Sequence, residues 1–215
     1  MPKFPGPPTP HELRALLHDD DVVGVAPLTA LARVYRAGGR HPGSWDGFRR
    51  VGPAAAARFD THPPTGDGSV AEAPGHEVLY AGLTLRTCVA ETFQLTRVID
   101  RQTDRPWLVV WRPVRVLRLL DLAGTWPTRA GASQAISSGP RDRSRAWARV
   151  IHEAYPDIDG LWYRSSMDSG KPAVCLWAAA RDAMPVQPWA HLPLDAPGLA
   201  LPLARASRAV GYRLL

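Results

Sequence analysis

Apolar positions along the chain change period several times, and each change marks an element. Thr9-Pro-His-Glu12 has the form of a capping box with proline at the first helical position, and a short helix through Leu13, Leu16 and Leu17 follows. The Pro-rich residues 1–8 ahead of it predict a loose arm. Arg33-Val-Tyr-Arg-Ala37 alternates as a short strand does, and the Gly-, Pro- and Ala-rich residues 38–57 read as a long loop, a kind of segment that often carries function. A second polar loop, residues 61–75, leads into the strand Glu77-Val-Leu-Tyr-Ala-Gly82. Thr84 then opens a helix whose inward face is Leu85, Cys88, Val89 and Thr92. Glu91 lies about 120° from that face, at its rim.

Further along, residues 107–112 and 114–120 read as two strands joined at Pro113, which cannot donate within a central ladder. Trp147, Val150, Ile151 and Ala154 form a stripe at helical spacing, predicting a helix that ends before Pro156, with Trp147 in the core and His152 on the solvated face. Residues 160–165 and 173–179 pair as strands around a turn at Asp168-Ser-Gly170, and residues 199–215 hold a short helix and an edge strand. No internal repeat or linker divides the chain. The fold class is α+β: a single compact domain with a mixed sheet. It has an N-terminal arm and short helix (1–30), a main domain (31–182) and a C-terminal extension packed on it (183–215).

Of the 215 residues 45% are hydrophobic and eight are Trp, enough to build a core. No apolar run approaches the roughly 20 residues that span a bilayer, and the first ten residues lack the apolar stretch of a secretory signal, so the expected location is cytoplasmic. The net charge of +6 is almost wholly arginine, since Lys3 and Lys171 are the only lysines. Cys88 and Cys175 sit singly inside apolar runs and read as small buried hydrophobes, with no spacing for a disulfide or a metal. The patterns GxSxG, GxxxxGK[ST], GxGxxG after a strand and HExxH are all absent, which removes the commonest hydrolase, kinase, dehydrogenase and metalloprotease signatures.

What remains is an ordered set of polar residues at strand ends and in loops: Tyr35-Arg-Ala37, Arg58-Phe-Asp60, Val78-Leu-Tyr-Ala81 with Thr87-Cys-Val-Ala-Glu91, and Asp159-Gly-Leu-Trp-Tyr-Arg-Ser165. This set resembles the RES domain over roughly residues 33–180. The resemblance implies a fold like that of ADP-ribosyltransferases and a toxin of RES–Xre type toxin–antitoxin systems. The implied activity is cleavage of the nicotinamide–ribose bond of NAD⁺, first by phosphorolysis, with hydrolysis or ADP-ribosyl transfer as alternatives. Carried over by position, it makes Arg36, Glu91 and Arg58 catalytic, and Tyr80, Ser165, Tyr35 and Ser166 substrate-binding. NAD⁺ would be the substrate and inorganic phosphate the co-substrate, without a prosthetic group or metal. An Xre-type antitoxin would bind in trans, and a homodimer is compatible.

A rival reading from another class is a non-catalytic basic module that binds nucleic acid or protein, motivated by a pI near 9.9 and the run Arg143-Ser-Arg-Ala-Trp-Ala-Arg149. Against nucleic acid, the arginines spread from Arg14 to Arg213 rather than forming one stripe.

Overall fold

The computed structural model describes residues 4–215. Helix α1 (Pro10–Arg14) begins as its sequence predicts: the Thr9 hydroxyl accepts from the Glu12 amide at 3.3 Å, and the Glu12 carboxylate accepts from the Thr9 amide at 2.8 Å. The helix stops short of Leu16 and Leu17, which still pack on the core. From residue 4 onward the preceding segment is docked rather than loose, and residues 1–3 lie outside the described residues. Phe4 is buried and stacks on Trp147 with ring centroids 6.5 Å apart, while the Trp147 indole N–H donates to the Pro5 carbonyl at 2.9 Å. A buried indole needs such an acceptor, and the proline-rich segment supplies it.

Eight strands form one mixed sheet: β1 (Val22–Val25), β2 (Leu31–Arg36), β5 (Val78–Gly82), β7 (Pro106–Trp111), β8 (Leu117–Asp121), β9 (Gly160–Arg164), β10 (Pro172–Trp177) and β11 (Ala190–Pro193). Their order across the sheet is β1-β8-β9-β10-β5-β2-β7-β11. Two short ladders lie outside it, β3 (Val51–Gly52) with β4 (Ala71–Glu72) and β6 (Val98–Ile99) with β12 (Arg213–Leu214). Neighbours in the main sheet run antiparallel except β8 and β9, which are parallel and joined by a crossover through α3 (Trp126–Arg129) and α4 (Arg141–Ala154). The strand expected over 114–120 begins only at Leu117; Val114 and Val116 are exposed, and the Val114 amide turns away to the Ala183 carbonyl. β1 and β11 carry no alternation strong enough to predict, yet both join the main sheet from outside residues 31–182.

Strand alternation divides the core between the two sheet faces. On one face α4 covers β8, β9 and β10 with Trp147 and Ile151, while α2 (Leu85–Thr92) and α5 (Ala200–Val210) cover β2 and β7 with Val89 and Leu203. The opposite face, including Leu79, Trp111, Val174 and Leu176, is closed by Phe48 and Ala180. His152 is not solvated as its helix position suggests. It packs between His76 and Trp177, each ring 5.0 Å away, because the 61–76 segment folds over that side of α4.

β2 and β5 are neighbours joined by a single residue pair, Ala32 with Gly82. At the other end of β5 the position opposite Val78 is taken by Arg49, whose amide donates to the Val78 carbonyl at 2.8 Å. The two strands therefore splay, and the sheet carries a wedge-shaped gap between the half covered by α4 and the half covered by α2 and α5.

Candidate active site

The gap opens into a cavity of about 290 Å³, walled by β2, β5, α2, the Tyr163 ring of β9 and the loop that carries Arg49 and Arg58. Helix α2 brings the acid to it. Thr84 is the N-cap, its hydroxyl accepting from the Thr87 amide at 3.1 Å, and the turns that follow bury Thr87, Cys88, Val89 and Ala90. Glu91 is thereby left at the edge of the buried face and lines the cavity.

The Ser165 hydroxyl donates to Glu91 Oε1 at 2.5 Å and accepts from the Met167 and Asp168 amides, both at 3.1 Å. One donor and two lone pairs are thus fully used. Ser165 is almost completely buried, so the structure places it behind Glu91 rather than on the cavity wall. Its loop is tied to α2 in turn: buried Asp168 accepts from the Thr87 hydroxyl at 2.8 Å and pairs with Arg86 Nε at 2.8 Å. Gly160 sets the register of the strand leading to that loop, since at its φ of +152° a Cβ would fall 2.1 Å from the Cys175 carbonyl oxygen.

Burial pushes the Glu91 carboxyl above its ordinary value, opposed by the Ser165 hydrogen bond and by the positive charges of Arg58 and Arg141. Arg33 enters from β2, its guanidinium donating to the Gly47 carbonyl at 3.0 Å, and burial lowers its pKa to about 10. Arg58 donates to the Gly139 carbonyl at 2.5 Å, and burial together with Arg141 lowers its pKa too. Among the described residues no carboxylate pairs with Arg33 or Arg58, whereas Arg49 is held by Asp60 at 2.5 Å. Tyr80 turns its ring to the cavity while its hydroxyl accepts from the Phe59 amide at 2.9 Å and donates to Asp60 at 3.0 Å.

The site residues expected from sequence therefore separate. Glu91, Arg58 and Tyr80 line one cavity, with Ser165 directly behind Glu91. Arg36 does not join them. It sits at the exposed end of β2, paired with Asp104 at 3.0 Å. Tyr35 directs its hydroxyl to His191 Nε2 at 2.6 Å, outside the lining, and Ser166 is exposed in the turn. Sequence reasoning missed Arg33, Arg49, Tyr163 and Gln94 as cavity residues. Residues of both faces of β2 line the cavity, Ala32 and Val34 as well as Arg33, and Arg36 misses it by lying at the exposed end of the strand, a position the local pattern does not mark.

This arrangement can receive an anionic, ring-bearing ligand: two guanidiniums without carboxylate partners suit phosphate oxygens, the Tyr80 ring offers a stacking face, and one desolvated carboxylate is available for charge stabilisation. Among curated proteins none matches the chain. A solved structure with the same fold is that of the M. tuberculosis MbcT–MbcA toxin–antitoxin complex, at 18% identity and a TM-score of 0.59, the likeness covering 90% of this chain and 97% of that one. The RES domain profile matches residues 33–197, a span that takes in the main sheet apart from β1 and the first residues of β2, together with the α2 acid and the serine loop behind it. The chain belongs to the RES domain family.

Proposed function

We propose that this protein is the toxin of a toxin–antitoxin pair and cleaves the nicotinamide–ribose bond of NAD⁺, with inorganic phosphate as the acceptor. RES family membership and the fold shared with a toxin–antitoxin structure support the class. The observation that carries the chemistry is Glu91, a desolvated carboxylate fixed by Ser165 at 2.5 Å, facing a cavity that also holds Arg33 and Arg58. As the C1–N bond breaks, its electron pair leaves with nicotinamide and positive charge builds on C1. A fixed carboxylate beside that carbon stabilises the charge by the electrostatic logic used in glycoside cleavage. A phosphate oxygen then bonds to C1, giving nicotinamide and ADP-ribose phosphate.

Arg33 and Arg58 are the cavity's receptors for the pyrophosphate or the incoming phosphate, because each presents planar donors and neither is neutralised by an acid. The Tyr80 ring takes the nicotinamide face. A volume of about 290 Å³ is at the small end for ligand sites, so the nicotinamide–ribose end enters and the adenosine end lies outside. In this reading an Xre-type antitoxin in trans restrains the toxin within the cytoplasm.

The test is incubation of the purified chain with NAD⁺, with and without phosphate, following nicotinamide and the phosphorus-containing products. Phosphate-dependent release, abolished by Glu91→Gln, is expected. Release that ignores phosphate makes the protein a hydrolase, and no release from a folded, inhibitor-free sample overturns the reading.

A further inference from the structure

Gln94 follows the C-terminal end of α2, three residues after Glu91, and lines the cavity. Its amide nitrogen donates to the Glu91 backbone carbonyl at 2.8 Å and lies 3.4 Å from Glu91 Oε2. Its amide oxygen accepts from Arg141 at 2.7 Å. A side-chain amide can be turned either way, but a guanidinium only donates, so Arg141 dictates which end of Gln94 meets Glu91. Arg141 is the first residue of α4, the helix over β8, β9 and β10, so its bond to Gln94 crosses from one half of the sheet's helical cover to the other.

We infer that Gln94 is a positioning residue for Glu91, held in orientation by Arg141, and that this pair keeps the Glu91 carboxylate aimed and charged. Glu91 Oε1 is met by the Ser165 hydroxyl and Oε2 by the Gln94 amide, so the carboxylate is steadied from both ends. The longer Oε2 contact, at 3.4 Å, is the weaker one, and the 2.8 Å bond to the main-chain carbonyl is what fixes the amide in place. Other groups that bear on Glu91 are Arg58 from the loop, Tyr163 from β9, Asp168 from the serine loop, Cys88 one turn earlier on α2 and Tyr212 beyond α5. Of these Arg58 supports the charged form, and Asp168 opposes it. Removing Arg141 takes away a charge that opposes burial, and removing Gln94 takes a donor from Oε2, so in either case the carboxyl takes its proton at higher pH. The consequence for catalysis rests on the reading of Glu91 given above, whereas the ionisation of Glu91 does not.

The experiment uses the full chain labelled with ¹³C at the glutamate carboxyls. The chain has five glutamates, and the Glu91 signal is the one lost in Glu91→Gln. Wild type, Gln94→Met, Arg141→Gln and Arg141→Lys are titrated. The Glu91 midpoint is expected to rise by about half a pH unit or more in Gln94→Met and Arg141→Gln and to return toward wild type in Arg141→Lys. In NAD⁺ cleavage the acid limb of kcat is expected to move in parallel, with KM changing less. If Gln94→Met does not fold, Gln94→Leu takes its place, because Arg141 also acts on Glu91 directly through its charge and its variants alone do not isolate Gln94. A midpoint unmoved in the folded variants overturns the inference. A midpoint that moves as expected in a protein that leaves NAD⁺ intact upholds it and removes the functional reading alone.

Discussion

Two arginines three residues apart on β2 meet different surroundings. Arg33 is half-buried in the cavity with a carbonyl for a partner, and Arg36 lies in solvent against Asp104. Exposed pairs of the second kind contribute roughly 0–1 kcal/mol. If the cavity is the site of chemistry, Arg33→Ala lowers kcat/KM by about tenfold or more, the loss of one charge-assisted contact, while Arg36→Ala stays near wild type. Steady-state kinetics on the two variants checks this, and the opposite ranking would return the site to the outer end of β2. The place of Glu91 at the rim of a helix and of Ser165 at a strand end was legible from spacing, whereas their grouping came from the resemblance to the RES domain, and the setting of Ser165 behind Glu91 was not legible. Nor was Arg33, because it meets the cavity only where β2 parts from β5, and that splay is a long-range feature of the sheet. Tyr35 shares the strand face of Arg33 but lies nearer the exposed end of β2, where His191 of β11, a strand the sequence does not announce, takes its hydroxyl.

Helix α2 and the loop after β9 act as one assembly, although more than 70 residues separate Ser165 from Glu91. Asp168 holds them together through Thr87 and Arg86. Replacing it by Ala leaves a buried hydroxyl and a guanidinium without their acceptor, at a cost of roughly 1–3 kcal/mol. Asp168→Ala is therefore expected to lower the urea unfolding midpoint and to reduce turnover along with it, as the Ser165 hydroxyl loses its fixed setting. An unchanged midpoint would show that the loop is held by other contacts. Most elements here were readable because their signals are local: the Thr9 and Thr84 caps, the Trp147 stripe ending before Pro156, and the glycine-bounded strand at 78–82. The docking of Phe4 and the burial of His152 were not readable, because each depends on a segment distant in sequence folding over α4.

For the whole molecule, burial lowers the pKa of His62, His152 and His191 below the ordinary imidazole value of 6.5. Each binds its proton more readily when unfolded, so its contribution to stability is complete above about pH 6.5 and is lost as pH falls below it. Glu91, whose carboxyl is raised above 4.5, works the other way, favouring the fold toward acid. With three imidazoles against one carboxyl, the urea midpoint is expected to fall between pH 7 and 5.5, less steeply in His152→Gln. A midpoint that is flat or rises across that range would show these histidines to be as well solvated folded as unfolded.

The single residue pair between β2 and β5 has a mechanical consequence. A sheet normally resists bending across its strands because many ladder bonds share the load, but here the two halves meet at one point, backed by the Cys88 thiol donating to the Ala32 carbonyl at 3.0 Å. The cavity lies on the open side of that joint. An occupant that reaches from Arg33 on one leaf to Tyr80 on the other acts as a clasp, so that filling the cavity stiffens both leaves together and slows exchange of their amide hydrogens far beyond the atoms it touches.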